Sequence, residues 1–252
     1  MRSLFRASTA LVILALVAST ARAITYGQPD GDRHPNVGAL VGTFDGQTLP
    51  YCSGTLISPT VFMTAAHCAI ETHRVSVTFD SVVTPQATLY AGTFYGDPDY
   101  SHRQNDPHDI AVVVLDQPIF GIVPAQLPAP GQLEKVGKDQ QFTAVGYGGQ
   151  EPVNQPGGIV IRYLDTREYA VSAFNALNKA YLRLSQNPAT GDGGTCYGDS
   201  GGPNVLGAGD SETSIVAAIS IKGDTYCHAT NVAYRLDTES ARGFLARFVV
   251  MP

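Results

Sequence analysis

A serine set among small residues, Gly198-Asp199-Ser200-Gly201-Gly202-Pro203, lies four residues after Cys196. A serine hydroxyl is a weak nucleophile until a base takes its proton and donors stabilise the oxyanion that follows. The glycines let a substrate carbonyl approach the backbone N–H groups of Gly198 and Ser200. The same hexapeptide would also serve as a plain turn, so a base and an orienting acid elsewhere must decide between the two. His67 ends the run Thr64-Ala65-Ala66-His67-Cys68, whose small residues leave room around the ring while the cysteine anchors the backbone. A lone histidine is more often a surface or satisfied core residue. Asp109 opens the run His108-Asp109-Ile110-Ala111-Val112-Val113-Val114-Leu115, where a carboxylate enters a buried strand. Burying it unpaired is costly, and an imidazole N–H is a natural partner; the bland alternative is a strand-capping aspartate.

The elements that must position these groups are short and β-rich. Strand-like runs fall at 37–44, 53–57, 61–65, 75–79, 87–95, 110–115, 142–147, 159–164, 181–184, 215–221 and 232–236. With Gly and Pro turns between them, such runs predict barrels or a sandwich. Two stretches look helical: Val171, Phe174, Leu177 and Tyr181 recur every three to four residues, and Phe244, Leu245, Phe248 and Val249 share a face near the end. Asp237 or Thr238 can cap the latter. The Pro-rich segment 118–131 reads as a connector between two β halves.

Hydrophobic residues at 44% and charged residues at 15% describe a globular chain and exclude disorder or a coiled coil. Residues 1–23 stand apart: Arg2 and Arg6 precede an apolar run, and Ala21-Arg22-Ala23 closes it, the pattern of a secretory signal peptide. The run is too short for a permanent membrane anchor. Cleavage after Ala23 removes three arginines and no acid, taking the net charge from −6 to −9. That surface argues against nucleic acid and for solubility outside the cell. Four cysteines in a secreted chain form two disulfides, in one of three pairings.

The order His67…Asp109…Ser200, each in its intact motif, resembles the chymotrypsin/trypsin-like serine endopeptidases over nearly all of the chain after residue 23. The resemblance implies an all-β fold of two six-stranded antiparallel β-barrels, with the active site between them and a C-terminal helix. The domain would span 24–252, with barrels at about 24–125 and about 126–236 and the helix at about 238–250. It implies Ser200 as nucleophile, His67 as general base and then acid, Asp109 as the group fixing the imidazole, and the N–H groups of Gly198 and Ser200 as the oxyanion hole. Disulfides Cys52–Cys68 and Cys196–Cys227 follow; a third bridge common in relatives has no cysteines here. Polypeptide substrates and protein protease inhibitors are the implied partners of a secreted monomer, with no cofactor, nucleic acid or membrane.

Ile24-Thr25-Tyr26-Gly27 resembles the activated amino terminus of that family, with Thr25 where Val is usual. The Ile24 ammonium would pair with Asp199 and order the oxyanion hole. Signal cleavage falls at Ile24, so export itself would generate the active terminus. The substrate-binding residues by resemblance are Gly194, Thr195, Ser220, Ile221 and Lys222. Trypsin-like cleavage after Lys or Arg uses an aspartate where this chain has Gly194, so that specificity is not expected, although Asp192 lies two residues earlier. An apolar or small residue before the scissile bond is the expectation, and an acidic residue drawn to Lys222 is the rival. No metal is expected: Asp97, Asp99 and Asp106 form an acidic loop before Asp109 that could hold calcium but reads first as a solvated turn. Gly198-x-Ser200-x-Gly202 also fits an α/β-hydrolase elbow, but Gly201, Gly202 and Pro203 oppose the helix such an elbow needs. The remaining alternative is a catalytically silent secreted binding module of the same fold.

Overall fold

A computed structural model describes residues 24–102 and 105–252. The segment read as a signal peptide therefore lies outside the described residues. The described residues form fifteen strands: β1 Gln28–Pro29, β2 Val37–Phe44, β3 Gln47–Ser58, β4 Val61–Thr64, β5 Arg74–Thr78, β6 Tyr90–Gly96, β7 Ala111–Leu115, β8 Gln141–Gly146, β9 Val153–Gln155, β10 Gly158–Val160, β11 Glu168–Leu177, β12 Tyr181–Ser185, β13 Pro203–Leu206, β14 Val216–Gly223 and β15 Thr230–Arg235. One helix, α1 Glu239–Leu245, follows.

The strands close two six-stranded antiparallel barrels. The first runs β2-β3-β4-β7-β6-β5 and closes through β2–β5. The second runs β8-β11-β12-β15-β14-β13 and closes through β13–β8. Full closure leaves neither barrel a free edge for unwanted pairing. A single apolar cluster runs from Leu40, Phe62 and Val112 of the first barrel to Ile219, Tyr234 and Leu245 of the second half.

One stretch departs from the sequence reading. Val171, Phe174 and Leu177 lie on β11, which is a strand and not a helix. Along its first half the inward positions are Glu168, Ala170 and Ser172, a period of two carried by small and polar residues. A bulge between Phe174 and Ala176 then shifts the phase, so the large apolar residues fall at helical spacing. Strand β13 also goes unseen in the sequence, because it opens on a proline and buries Asn204. The run at 159–164 is strand only at Gly158–Val160, in a separate hairpin with β9. At α1 the cap is Thr238, whose side chain accepts from the Ala241 N–H; Asp237 instead pairs with Arg235 at 2.9 Å.

The amino-terminal segment belongs to the second barrel. Thr25 and Gly194 exchange backbone hydrogen bonds (2.9 and 3.0 Å), and β1 pairs with β11. Arg167, 1% exposed, bolts that segment to both halves. Its guanidinium donates to Asp30 (2.7 Å) and to the carbonyls of Gly31 (2.7 Å), Val37 (2.9 Å) and Phe79 (3.0 Å). Burial alone would raise the Asp30 carboxyl, but His34 and Arg167 outweigh it and hold the group below the usual carboxylate range.

Candidate active site

Strand pairing brings the first two groups together. Antiparallel β4 and β7 align Thr64 with Ala111, so the residues just after β4 and just before β7 emerge at the same end. His67, on a single 3₁₀ turn, and Asp109 occupy those places. The Asp109 carboxylate accepts the His67 backbone N–H at 3.0 Å and faces His67 Nδ1 at 2.8 Å. The bidentate grip sets both the backbone and the ring, leaving Nε2 to the cleft. The Asp109 side chain is 8% exposed and the His67 side chain 29%.

Ser200 comes from the long loop between β12 and β13, and its placement depends on close backbone packing. Gly201 (φ 80°) needs both the left-handed region and the absence of a side chain: a Cβ there would strike Thr64 and lie 2.5 Å from the Ser53 carbonyl oxygen. Ser53, which the sequence marks only as the start of a strand, ties the loop to the first barrel. Its N–H donates to the Ser200 carbonyl (2.8 Å), its hydroxyl to the Gly198 carbonyl (3.0 Å), and its Oγ accepts the Tyr147 N–H (3.0 Å). Its only sequence signal is its place beside Cys52. Within the loop, the amides of Cys196, Asp199, Gly201 and Gly202 are all engaged. Those of Gly198 and Ser200 donate to no group among the described residues. Two unengaged N–H groups flanking a serine are a ready site for a developing negative oxygen.

Asp199 is fully buried. Its Oδ1 accepts the Gly148 N–H and its Oδ2 the Cys196 N–H, each at 2.8 Å. No cation pairs with it among the described residues, and burial pushes its carboxyl up to about 7 despite those two hydrogen bonds. Ile24, its expected partner, is 0% exposed and has φ 52°, a left-handed conformation costly for a β-branched residue.

A cavity of about 280 Å³ joins His67 and Ser200 to Thr195, Ser220, Ile221 and Lys222. Gly194 does not line it. Asp192 does not line it either: its carboxylate accepts from the Ser185 (2.7 Å) and Thr190 (2.8 Å) hydroxyls. A second cavity, also about 280 Å³, shares His67, Ile221 and Lys222 with the first and includes Tyr100, Asp109 and Tyr181. The Lys222 ammonium stands 5.1 Å from the centre of the Tyr181 ring, towards this second cavity. Ser200 Oγ makes no hydrogen bond to His67 among the described residues, though both face the first cavity; such contacts commonly tighten when substrate arrives.

The disulfides are Cys52–Cys68, beside His67, and Cys196–Cys227, joining two walls of the first cavity. Asp97, Asp99 and His108 bring one ligand atom each within 4.8 Å of the others. They are already bonded among themselves, Asp97 accepting the Asp99 N–H (3.0 Å) and facing His108 Nδ1 (3.3 Å). Asp106 accepts instead from Tyr234 and Ser240.

The family model for Trypsin matches residues 32–240. The chain belongs to the trypsin family. It is also similar to a trypsin of Saccharopolyspora erythraea, 29% identical over 192 residues that cover 69% of this chain and 77% of that protein. A trypsin-family serine protease with two disulfides thus accounts for both barrels. Among the described residues, no helix is long and apolar enough to cross a membrane.

Proposed function

We propose that the protein is a secreted serine endopeptidase that cleaves through an acyl-enzyme and is not specific for Lys or Arg. The observation that carries this reading is the two-point grip of Asp109 on His67, at a cleft that also holds Ser200. In the reaction, Ser200 Oγ bonds to the substrate carbonyl carbon as its proton passes to His67 Nε2. The C=O electrons move onto oxygen, which the Gly198 and Ser200 N–H groups receive. The intermediate collapses, the C–N bond breaks, and the departing amine takes the proton from His67. Water then gives a proton to His67 and its oxygen to the acyl carbon, releasing the carboxylic acid and restoring Ser200. Asp109 holds the imidazole tautomer and stabilises the imidazolium between steps.

Residues 1–23 act as the signal peptide, and cleavage frees Ile24 to serve Asp199. A desolvated carboxyl with only amide partners supports this assignment, because a nearby ammonium would stabilise its charged form.

Protein beginning at Ile24 should react covalently with a fluorophosphonate at Ser200, and Ser200→Ala should abolish the label. A folded sample that starts at Ile24 and takes no label would identify a silent binding module instead.

A further inference from the structure

The hydroxyl of Thr25 is buried and committed to a single acceptor. The residue is 0% exposed, so the hydroxyl cannot turn to water and must bond inside the protein. It donates to the Gly194 carbonyl at 3.0 Å, the same oxygen that accepts the Thr25 N–H at 2.9 Å. The Gly194 N–H returns a bond to the Thr25 carbonyl at 3.0 Å, so three hydrogen bonds close one clasp. Beside it, the Gly27 N–H donates to the Ile24 carbonyl (3.0 Å) and fixes Ile24 in a turn. The receiving surface is shaped for close approach: a Cβ at Gly193 would lie 2.6 Å from the Thr25 carbonyl oxygen. Gly193 is itself held on β11, its N–H donating to the Val171 carbonyl (2.9 Å) and its carbonyl accepting from the Ser172 hydroxyl (2.6 Å). Two residues beyond Gly194, the Cys196 N–H donates to Asp199. The clasp is closed while no cation pairs with Asp199 among the described residues, so it forms without one.

We propose that Thr25 is a positioning residue for the nucleophile half of the site: its hydroxyl holds the amino-terminal segment on Gly194, in the register that brings Ile24 to Asp199. This rests on the peptidase reading above and on its pairing of Ile24 with Asp199, and it assigns part of the docking to a neutral contact. Valine in place of Thr25 would keep the shape but set a methyl against the second lone pair of a buried carbonyl. Serine would keep the bond. Besides Asp199, two titratable groups face the segment. Glu151 accepts the Tyr26 N–H at 3.4 Å, and the His228 ring stands 6.1 Å from the Tyr26 ring. Neither bonds the Thr25 hydroxyl, so the clasp reports on docking through Gly194 alone.

Docking and protonation are linked. An α-amino group ordinarily titrates near ~8, and a carboxylate partner raises that value. Activity that depends on the docked ammonium is present below the raised value and lost as pH rises through it. The midpoint of that loss moves by about one pH unit for each tenfold change in docking.

The test is the rate at which a fluorophosphonate labels Ser200 across neutral and alkaline pH, in protein beginning at Ile24. Wild type should lose labelling through a midpoint above ~8. Thr25→Val should lower the midpoint by about one pH unit, the roughly tenfold effect that one buried hydrogen bond carries. Thr25→Ser should hold the wild-type midpoint. A role in stability alone would lower the melting temperature of Thr25→Val and leave its midpoint in place, which overturns the inference. A Thr25→Ser midpoint that falls as far as that of Thr25→Val overturns it too, as does wild type that labels equally well at every pH. Wild type that takes no label at any pH overturns the peptidase reading itself, which is a separate result.

Discussion

Two buried aspartates, one from each barrel, are treated differently by the fold. Asp109 stands before β7 with both carboxylate oxygens committed to His67, a residue of the same barrel. Asp199 stands in the loop before β13 with two amides and no cation, and burial pushes its carboxyl up to about 7. The first acid has its counter-group built into neighbouring strands and is complete once those strands pair. The second has no cation partner among the described residues, and in the function proposed above the freed Ile24 ammonium supplies it. On that proposal the base half of the site is assembled by strand pairing, and the nucleophile half is conditional.

The sharpest way to break the comparison is at the half held to be complete. Asp109→Asn keeps the shape but presents an N–H to a ring nitrogen that should itself donate, fixing the wrong tautomer. The expected loss in kcat is about 10⁴-fold, the figure established for the triad aspartate of this family. Steady-state kinetics on any cleaved peptide measure it. A loss of tenfold or less would mean that Asp109 does not orient the base.

The conditional half is tested by withholding the amino terminus. Protein retaining Ala23 before Ile24 should lose about 10²- to 10³-fold in kcat, comparable to removing one oxyanion donor. pH separates the two forms. With Ala23 attached, burial pushes the Asp199 carboxyl up to about 7 from an ordinary value near 3.8. The unfolded chain then binds fewer protons between those values, so stability falls as pH rises from about 4 to 7, by on the order of a few kcal/mol. With Ile24 free, the α-ammonium, ordinarily near ~8, is raised by its carboxylate partner. Its stabilisation is present below that range and lost as pH rises through the raised value. Melting temperatures of the two forms across pH should therefore diverge above about pH 5. Parallel curves would remove Ile24 from the site.

The sequence made the complete half more legible than the conditional one. His67 and Asp109 each sit in a local motif, and the barrels that align them follow from recurring β runs. Ser200 was equally visible in its hexapeptide, but what holds it was not. Ser53 reaches Gly198 across 145 residues of sequence, and nothing local marks a serine for that task. Strand β11 was misread for a related reason: a bulge, set by its pairing with β12, imposed helical spacing on strand residues. Residues read through their own neighbours were found, and residues defined by a distant partner were not.

Ser53 gives the smallest effect and a direct measure of how loosely the nucleophile half is held. Ser53→Ala keeps the amide that bonds the Ser200 carbonyl but strips the hydroxyl from the Gly198 carbonyl and the Tyr147 N–H. Leaving buried polar groups unpaired costs about 1–3 kcal/mol. If that cost is relieved by rotation of the peptide after Gly198, the Gly198 and Ser200 N–H groups lose their shared aim. kcat then falls roughly tenfold with KM little changed. If the cost is borne only as stability, the melting temperature drops while kcat holds, and the nucleophile loop is as firmly set as the His67 turn. The split between kcat and melting temperature thus decides whether the two halves differ in rigidity or only in the missing cation.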